Sequence, residues 1–134
     1  MSRLLLDTQV LLWWDLNDAR LAGTARAAIE QSEAVYVSAA SAWEIAIKTA
    51  LGKLTGTRSP RTAVAEGGFD ELPITFEHAQ AAGGLPPHHA DPFDRLIIAA
   101  AQVEELVIVT SDSLFSRYDV PIIQAGRRSG APPT

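Results

Sequence analysis

The chain has 134 residues, of which 47% are apolar and 20% charged, the balance of one globular domain with a real core. With no cysteine it has neither disulfides nor cysteine-ligated zinc, and a reducing cytoplasm is its expected location. Its net charge of −5 argues against gripping nucleic acid by charge alone, and no apolar run reaches the roughly eighteen residues that span a bilayer.

The elements follow in chain order. Leu4-Leu5-Leu6 reads as a short buried strand; Asp7 interrupts the apolar stretch and no small-residue cleavage site follows, so a signal peptide is not expected. A short aromatic helix spans Thr8 to Leu16, and an alanine-rich one Ala22 to Gln31. Ala34-Val35-Tyr36-Val37 is the second strand, followed by an amphipathic helix from Ala40 to Leu54 and a short helix over Arg61 to Glu66. Glu71-Leu72-Pro73-Ile74-Thr75 is a weak third strand, confined by its proline to a sheet edge. After a short helix from Phe76 to Ala82 and the loop Gly83-Gly84-Leu85-Pro86-Pro87 comes a strong helix, Pro92 to Glu104. Leu106-Val107-Ile108-Val109-Thr110 is the clearest strand, Ser113 to Tyr118 a turn or two of helix, and Val120-Pro121-Ile122-Ile123 the fifth strand. Continuous apolar strands alternating with helices predict an α/β fold with a parallel sheet covered on both faces. The domain runs over residues 1–125, and residues 126–134 read as a flexible tail.

Four acids sit where an apolar run meets a loop or helix start. Asp7 directly follows the first strand, where open α/β sheets bind ligands; the plain structural reading is a helix cap. Glu44 fits a capping box with Ser41 or an ion pair with Lys48 one turn on, yet its neighbours Trp43, Ile45 and Ile47 leave little of that helix for water. In His89-Ala90-Asp91-Pro92-Phe93-Asp94, Asp91 is the N-cap and Pro92 the first helical residue, which puts Asp94 in the first turn. Asp91 is therefore structural and Asp94 the better ligand. His88 and His89 lack the spacing of a helical histidine pair, and a loop histidine bonding backbone or aiding catalysis fits better than a ligand. Asp112 follows the fourth strand, with Thr110 and Ser111 offering hydroxyls and a cap on the next helix as its plain reading.

A parallel sheet brings these strand ends and helix starts to one edge. Several carboxylates there repel one another unless cations bind. Magnesium and manganese take all-oxygen shells of this kind, and the matching chemistry is phosphodiester hydrolysis. Net negative charge does not exclude a nuclease whose bound cations offset it locally.

At four places the chain resembles a PIN domain, specifically a VapC-type toxin ribonuclease of a type II toxin–antitoxin pair. The segments are Leu5-Leu6-Asp7-Thr8-Gln9-Val10-Leu11-Leu12-Trp13, Val37-Ser38-Ala39-Ala40-Ser41-Ala42-Trp43-Glu44-Ile45-Ala46-Ile47-Lys48, His89-Ala90-Asp91-Pro92-Phe93-Asp94-Arg95-Leu96-Ile97-Ile98-Ala99 and Val109-Thr110-Ser111-Asp112. The resemblance implies a PIN-like three-layer α/β/α sandwich around a mostly parallel five-stranded sheet. It implies that Asp7, Glu44, Asp94 and Asp112 are catalytic Mg²⁺ or Mn²⁺ ligands, direct or through water. Thr8 and Ser111 would orient metal-bound water, and Arg95 would contact phosphate or else pair with Asp91. An RNA substrate, a homodimer and a VapB-type antitoxin that blocks the site with an arginine are implied too. Trp13, Trp14 and Trp43 would serve that interface or the core.

Two other readings compete. A non-catalytic PIN-like module binding RNA or protein has no need of four clustered carboxylates. A haloacid-dehalogenase phosphatase requires a second Asp after the first strand, which Asp7-Thr8-Gln9 lacks; a receiver domain requires an acidic pair and a late lysine, also missing.

Overall fold

The structure, a computed structural model, describes residues 2–126; apart from Gly126, the tail expected over residues 126–134 lies outside the described residues. Strands β1 (Arg3–Leu6), β2 (Ala34–Ser38), β3 (Asp70–Leu72), β4 (Val107–Thr110) and β5 (Ile122–Gln124) form one sheet in the order β3-β2-β1-β4-β5. All four pairings are parallel. The helices are α1 (Thr8–Asp15), α2 (Gly23–Gln31), α3 (Ala39–Ala50), α4 (Pro60–Gly67), α5 (Phe76–Gly83) and α6 (Pro92–Glu104), with a 3-10 helix over Ser113–Arg117.

The central position of β1 explains its composition. Its three leucines are fully buried, because a strand paired on both edges and covered on both faces has no solvent side. Their pleat divides the core in two. Leu4 and Leu6 join Val10, Leu11 and Trp13 of α1, Ile29 of α2, Ile45 of α3 and Val64 of α4. Leu5 turns the other way, to Ile97, Ile98 and Ala101 of α6 with Ile108, Phe115 and Tyr118. Two clusters on opposite faces of one sheet make the expected three-layer sandwich. No helix among the described residues is long and apolar enough to cross a membrane.

Three boundaries differ from expectation by two residues or more, each for a local reason. Helix α3 stops at Ala50 rather than Leu54, because Gly52 takes a left-handed φ of 74° and the Lys53 N–H turns back to the Lys48 carbonyl at 2.8 Å. β3 does lie at a sheet edge, but it ends at Leu72, before Pro73 can withhold a ladder hydrogen. β5 starts at Ile122 rather than Val120; Pro121 precedes it, its carbonyl accepting from Ile108 N–H at 3.0 Å.

Candidate active site

The strand order reverses at β1 and β4, and a parallel sheet opens its crevice at the carboxyl ends of strands flanking such a switch. Leu6 is in register with Val109, so β1 and β4 finish level, and the Asp7 N–H donates to the Val109 carbonyl at 3.1 Å. The cleft above them, about 570 Å³, is lined by Asp7, Thr8, Glu44, His89, Asp91, Asp94 and Asp112, with Lys48 and Arg20 among its remaining residues.

The helix-cap readings of Asp7, Asp91 and Asp112 are realised, and the same three residues line the cleft. Asp7 caps α1 through Oδ1, which accepts the Val10 N–H at 2.8 Å, while Oδ2 accepts the Thr110 hydroxyl. Asp91 caps α6, accepting from the Phe93 and Asp94 N–H groups at 2.8 and 3.1 Å. Asp112 Oδ1 caps the 3-10 helix through the Leu114 N–H at 2.9 Å, and its own N–H donates to Thr110 Oγ1 at 3.0 Å. A cap fixes the rotamer of the carboxylate that makes it. Here capping holds Asp7 and Asp112 in place while they line the cleft.

Glu44 is held differently. The N-cap of α3 is Ser38, whose Oγ accepts from the Ala40 N–H at 3.0 Å, so the capping box expected from Ser41 does not form. Ser41 instead lies inside the helix, fully buried. Thr8 donates its one hydroxyl proton to Glu44 Oε1 at 2.7 Å, which leaves the Ser41 hydroxyl to supply the hydrogen of the 2.9 Å contact with Thr8. Lys48 Nζ lies 2.8 Å from Glu44 Oε2, so the i,i+4 pair does form, inside the cleft.

Asp94 is the group under most electrostatic pressure. Burial, followed by the charges of Asp91, Asp7, Glu44 and Asp112, pushes its carboxyl up to about 8. Such a site favours either a proton or a cation. The donor set of carboxylates and hydroxyls fits a hard divalent ion taking oxygen ligands. The buried Ser111 Oγ has no hydrogen-bond partner among the described residues and keeps its capacity to donate.

Arg95 takes a place that the sequence did not assign, and His89 sits at the site, where the sequence had offered it either a backbone bond or a part in catalysis. Arg95 is not among the residues lining the cleft. Its guanidinium donates to the Ala82, Leu85, Pro86 and His89 carbonyls at 2.8 to 3.2 Å, binding the loop before α6 in place of phosphate or Asp91. His89 reaches the centre, its Nε2 2.9 Å from Asp94 Oδ2 and 3.0 Å from Asp112 Oδ2. The sequence signal for it was only its place two residues before the cap Asp91. Trp13 is core, whereas Trp43 is 61% exposed.

Residues 4–121 match the PIN domain. The chain belongs to the PIN-domain family. It is 33% identical to Ribonuclease VapC22 of Mycobacterium tuberculosis over 120 residues, covering 84% of this chain and 88% of that one. This PIN domain also superposes on the VapBC-5 toxin–antitoxin structure from Mycobacterium tuberculosis with a TM-score of 0.65 and 22% identity, covering 93% of this chain and all of that one (100%). A toxin–antitoxin complex from Klebsiella pneumoniae gives a TM-score of 0.64 at 20% identity, covering 92% and 98% of the two chains.

Proposed function

We propose that this PIN domain is the toxin of a type II toxin–antitoxin pair, an endoribonuclease that hydrolyses RNA phosphodiester bonds with Mg²⁺ or Mn²⁺. The observation that carries the reading is the convergence of Asp7, Glu44, Asp91, Asp94 and Asp112 on one cleft, with Asp94 driven to about 8 by burial and by its acidic neighbours. The identity to Ribonuclease VapC22 supplies the substrate class.

Asp7, Glu44, Asp94 and Asp112 would hold the ion, directly or through water, and Asp91 would stay a cap. The bound ion supplies a lowered pKa for an attacking water and neutralises charge on the scissile phosphate. Thr8, already committed to Glu44, keeps that carboxylate aimed. Arg20 and Lys48 line the same cleft and offer the cationic contacts that RNA phosphates require.

The reading includes a VapB-type antitoxin, because the solved structural relatives are toxin–antitoxin complexes. Its docking place would adjoin the acids. Exposed Trp43 precedes Glu44 on α3 and rests edge-on against Phe93, which precedes Asp94 on α6, at 5.3 Å between centroids. An antitoxin arginine entering the cleft beside that aromatic pair would take the carboxylates as bidentate partners. A homodimer in the cytoplasm completes the proposal; exposed Phe76 is apolar surface available for it.

The test is cleavage of RNA by the purified chain with Mn²⁺ or Mg²⁺. Activity abolished by EDTA and by Asp7→Asn or Asp94→Asn is expected; undiminished cutting by the Asp94→Asn protein would sink the mechanism. Mapping the RNA ends produced on induction, with and without antitoxin, identifies the substrate.

A further inference from the structure

His89 is anchored more completely than a loop residue needs to be. Its N–H donates to the Tyr118 hydroxyl at 2.8 Å, and that hydroxyl donates in turn to the Pro86 carbonyl at 2.8 Å. Its carbonyl accepts from Arg95 at 3.2 Å, and its ring stands edge-on to the fully buried Phe115 at 5.8 Å. The imidazole is thus aimed from both sides of its own backbone, with its side chain only 10% exposed. Neighbouring His88 instead packs edge-on against Tyr118 and does not line the cleft.

The hydrogen bonds settle which ring nitrogen carries the hydrogen. Nδ1 accepts from the Asp91 N–H at 3.3 Å. The ring hydrogen therefore sits on Nε2, the atom that meets Asp94 Oδ2 at 2.9 Å and Asp112 Oδ2 at 3.0 Å. A nitrogen bearing its hydrogen is a donor and has no lone pair for a metal.

We propose that His89 is a positioning residue, whose Nε2–H ties the Asp94 and Asp112 carboxylates together so that the two acids receive the metal ion as one preset pair. The inference rests on the metal-dependent reading above and adds to it a fifth side chain. Asp94 comes from the first turn of α6 and Asp112 from the loop after β4, two separate elements. A shared donor between them fixes their separation before the ion arrives. Groups that hydrogen-bond to metal ligands contribute about 10- to 100-fold to affinity or activity.

The test is Mn²⁺ binding by the full chain, read by calorimetry and by electron paramagnetic resonance, after thermal melts establish that each variant is folded. His89→Leu keeps bulk without a donor, His89→Ala removes both, and His89→Gln carries an amide N–H to about the same place. The donorless variants should bind Mn²⁺ about tenfold or more weakly, His89→Gln should return close to the native affinity, and the wild-type spectrum should show no nitrogen coupling from an imidazole. Native affinity in a folded donorless variant would overturn the proposal, as would a His89→Gln protein as weak as His89→Leu. Imidazole coupling in the wild type, lost in His89→Gln, would make His89 a ligand and overturn it too. A wild-type chain that binds no Mn²⁺ would bring down the ribonuclease reading and this inference together, whereas the other adverse outcomes leave that reading standing.

Discussion

The Thr110 hydroxyl donates to Asp7 Oδ2, joining the end of β4 to the end of β1 across 103 positions of sequence. Thr110 Oγ1 also accepts the Asp112 N–H at 3.0 Å, so one buried hydroxyl sets two of the site's acids. Thr110→Val preserves shape and removes both contacts. We expect stability to fall by about 1–3 kcal/mol in urea denaturation and Mn²⁺ affinity by about tenfold or more. Thr110→Ser should restore both. Native Mn²⁺ affinity in the valine variant would show that Asp7 needs no help from β4.

Asp94 makes metal binding depend on pH. Its carboxyl stands at about 8 against a reference of 3.8, so between those values the folded, metal-free protein holds a proton that the unfolded chain has released. That proton's contribution to stability is complete below the unfolded value and is lost as pH rises through the folded one. Melting temperature of the metal-free protein should therefore fall as pH climbs from about 5 to 8. A divalent ion must displace the proton, and its affinity should rise up to about tenfold per pH unit until the carboxyl ionises. Calorimetry at pH 7 in two buffers of different ionisation enthalpy should report nearly one proton released per ion. Equal heats in the two buffers would refute the assignment.

Removing that charge should separate stability from function. Asp94→Asn takes away a buried carboxylate that four acidic neighbours repel. At pH 8 the metal-free variant should melt higher than the wild type, yet gain nothing from Mn²⁺ and cut no RNA. Sites that trade stability for chemistry behave this way. A variant that melts lower at pH 8 would mean the charge is already compensated within the protein.

The order of strands and helices was legible because it follows from local signals. Leu4-Leu5-Leu6 has no polar position to give to water, and Asp91-Pro92 marks a helix start whatever lies nearby. Asp7, Asp94 and Asp112 were legible for the same reason, each standing at a strand end or in a first turn, whereas Glu44, in the second turn of α3, stood out mainly through the family resemblance. What sequence could not supply was direction across space. Arg95 beside Asp94 looked like a phosphate contact, but its guanidinium is drawn to the loop carbonyls, whose position depends on how that loop folds back. His89 read as a loop residue bonding backbone or aiding catalysis, and its Nδ1 does accept a backbone N–H; that bond is what turns Nε2 toward two acids 5 and 23 positions away. Arg20 gave no signal at all, since it lies in the segment between α1 and α2 and is set at the cleft by its pairing with Asp18 and its contact with the Trp13 ring.

Arg20 is held over the Trp13 ring at 5.5 Å and paired with Asp18, whose carboxyl this hydrogen bonding lowers to about 2. Being fixed at the cleft yet exposed on its outer side, it is suited to a phosphate of the bound RNA. Arg20→Ala should weaken RNA binding, measured with catalytically silent Asp94→Asn protein, and lower the slope of log affinity against log salt by about one. Mn²⁺ affinity should not change. An unchanged salt slope would remove Arg20 from the RNA path.

Arg95 holds the loop that delivers His89. Its two terminal nitrogens satisfy the Ala82, Leu85, Pro86 and His89 carbonyls, bridging the end of α5 to the start of α6. Arg95→Ala leaves four carbonyls to find other donors and should destabilise the fold by about 2–3 kcal/mol, since bonds to a charged donor are the stronger kind. Lysine keeps the charge but lacks the planar fork, so Arg95→Lys should recover only part of that loss. The expected local signature is faster amide hydrogen exchange over residues 82–89 than in the β1 and β4 strands. Because those residues end on His89, Mn²⁺ affinity should fall together with loop protection. A loop that exchanges faster while Mn²⁺ affinity holds would uncouple the clamp from the site.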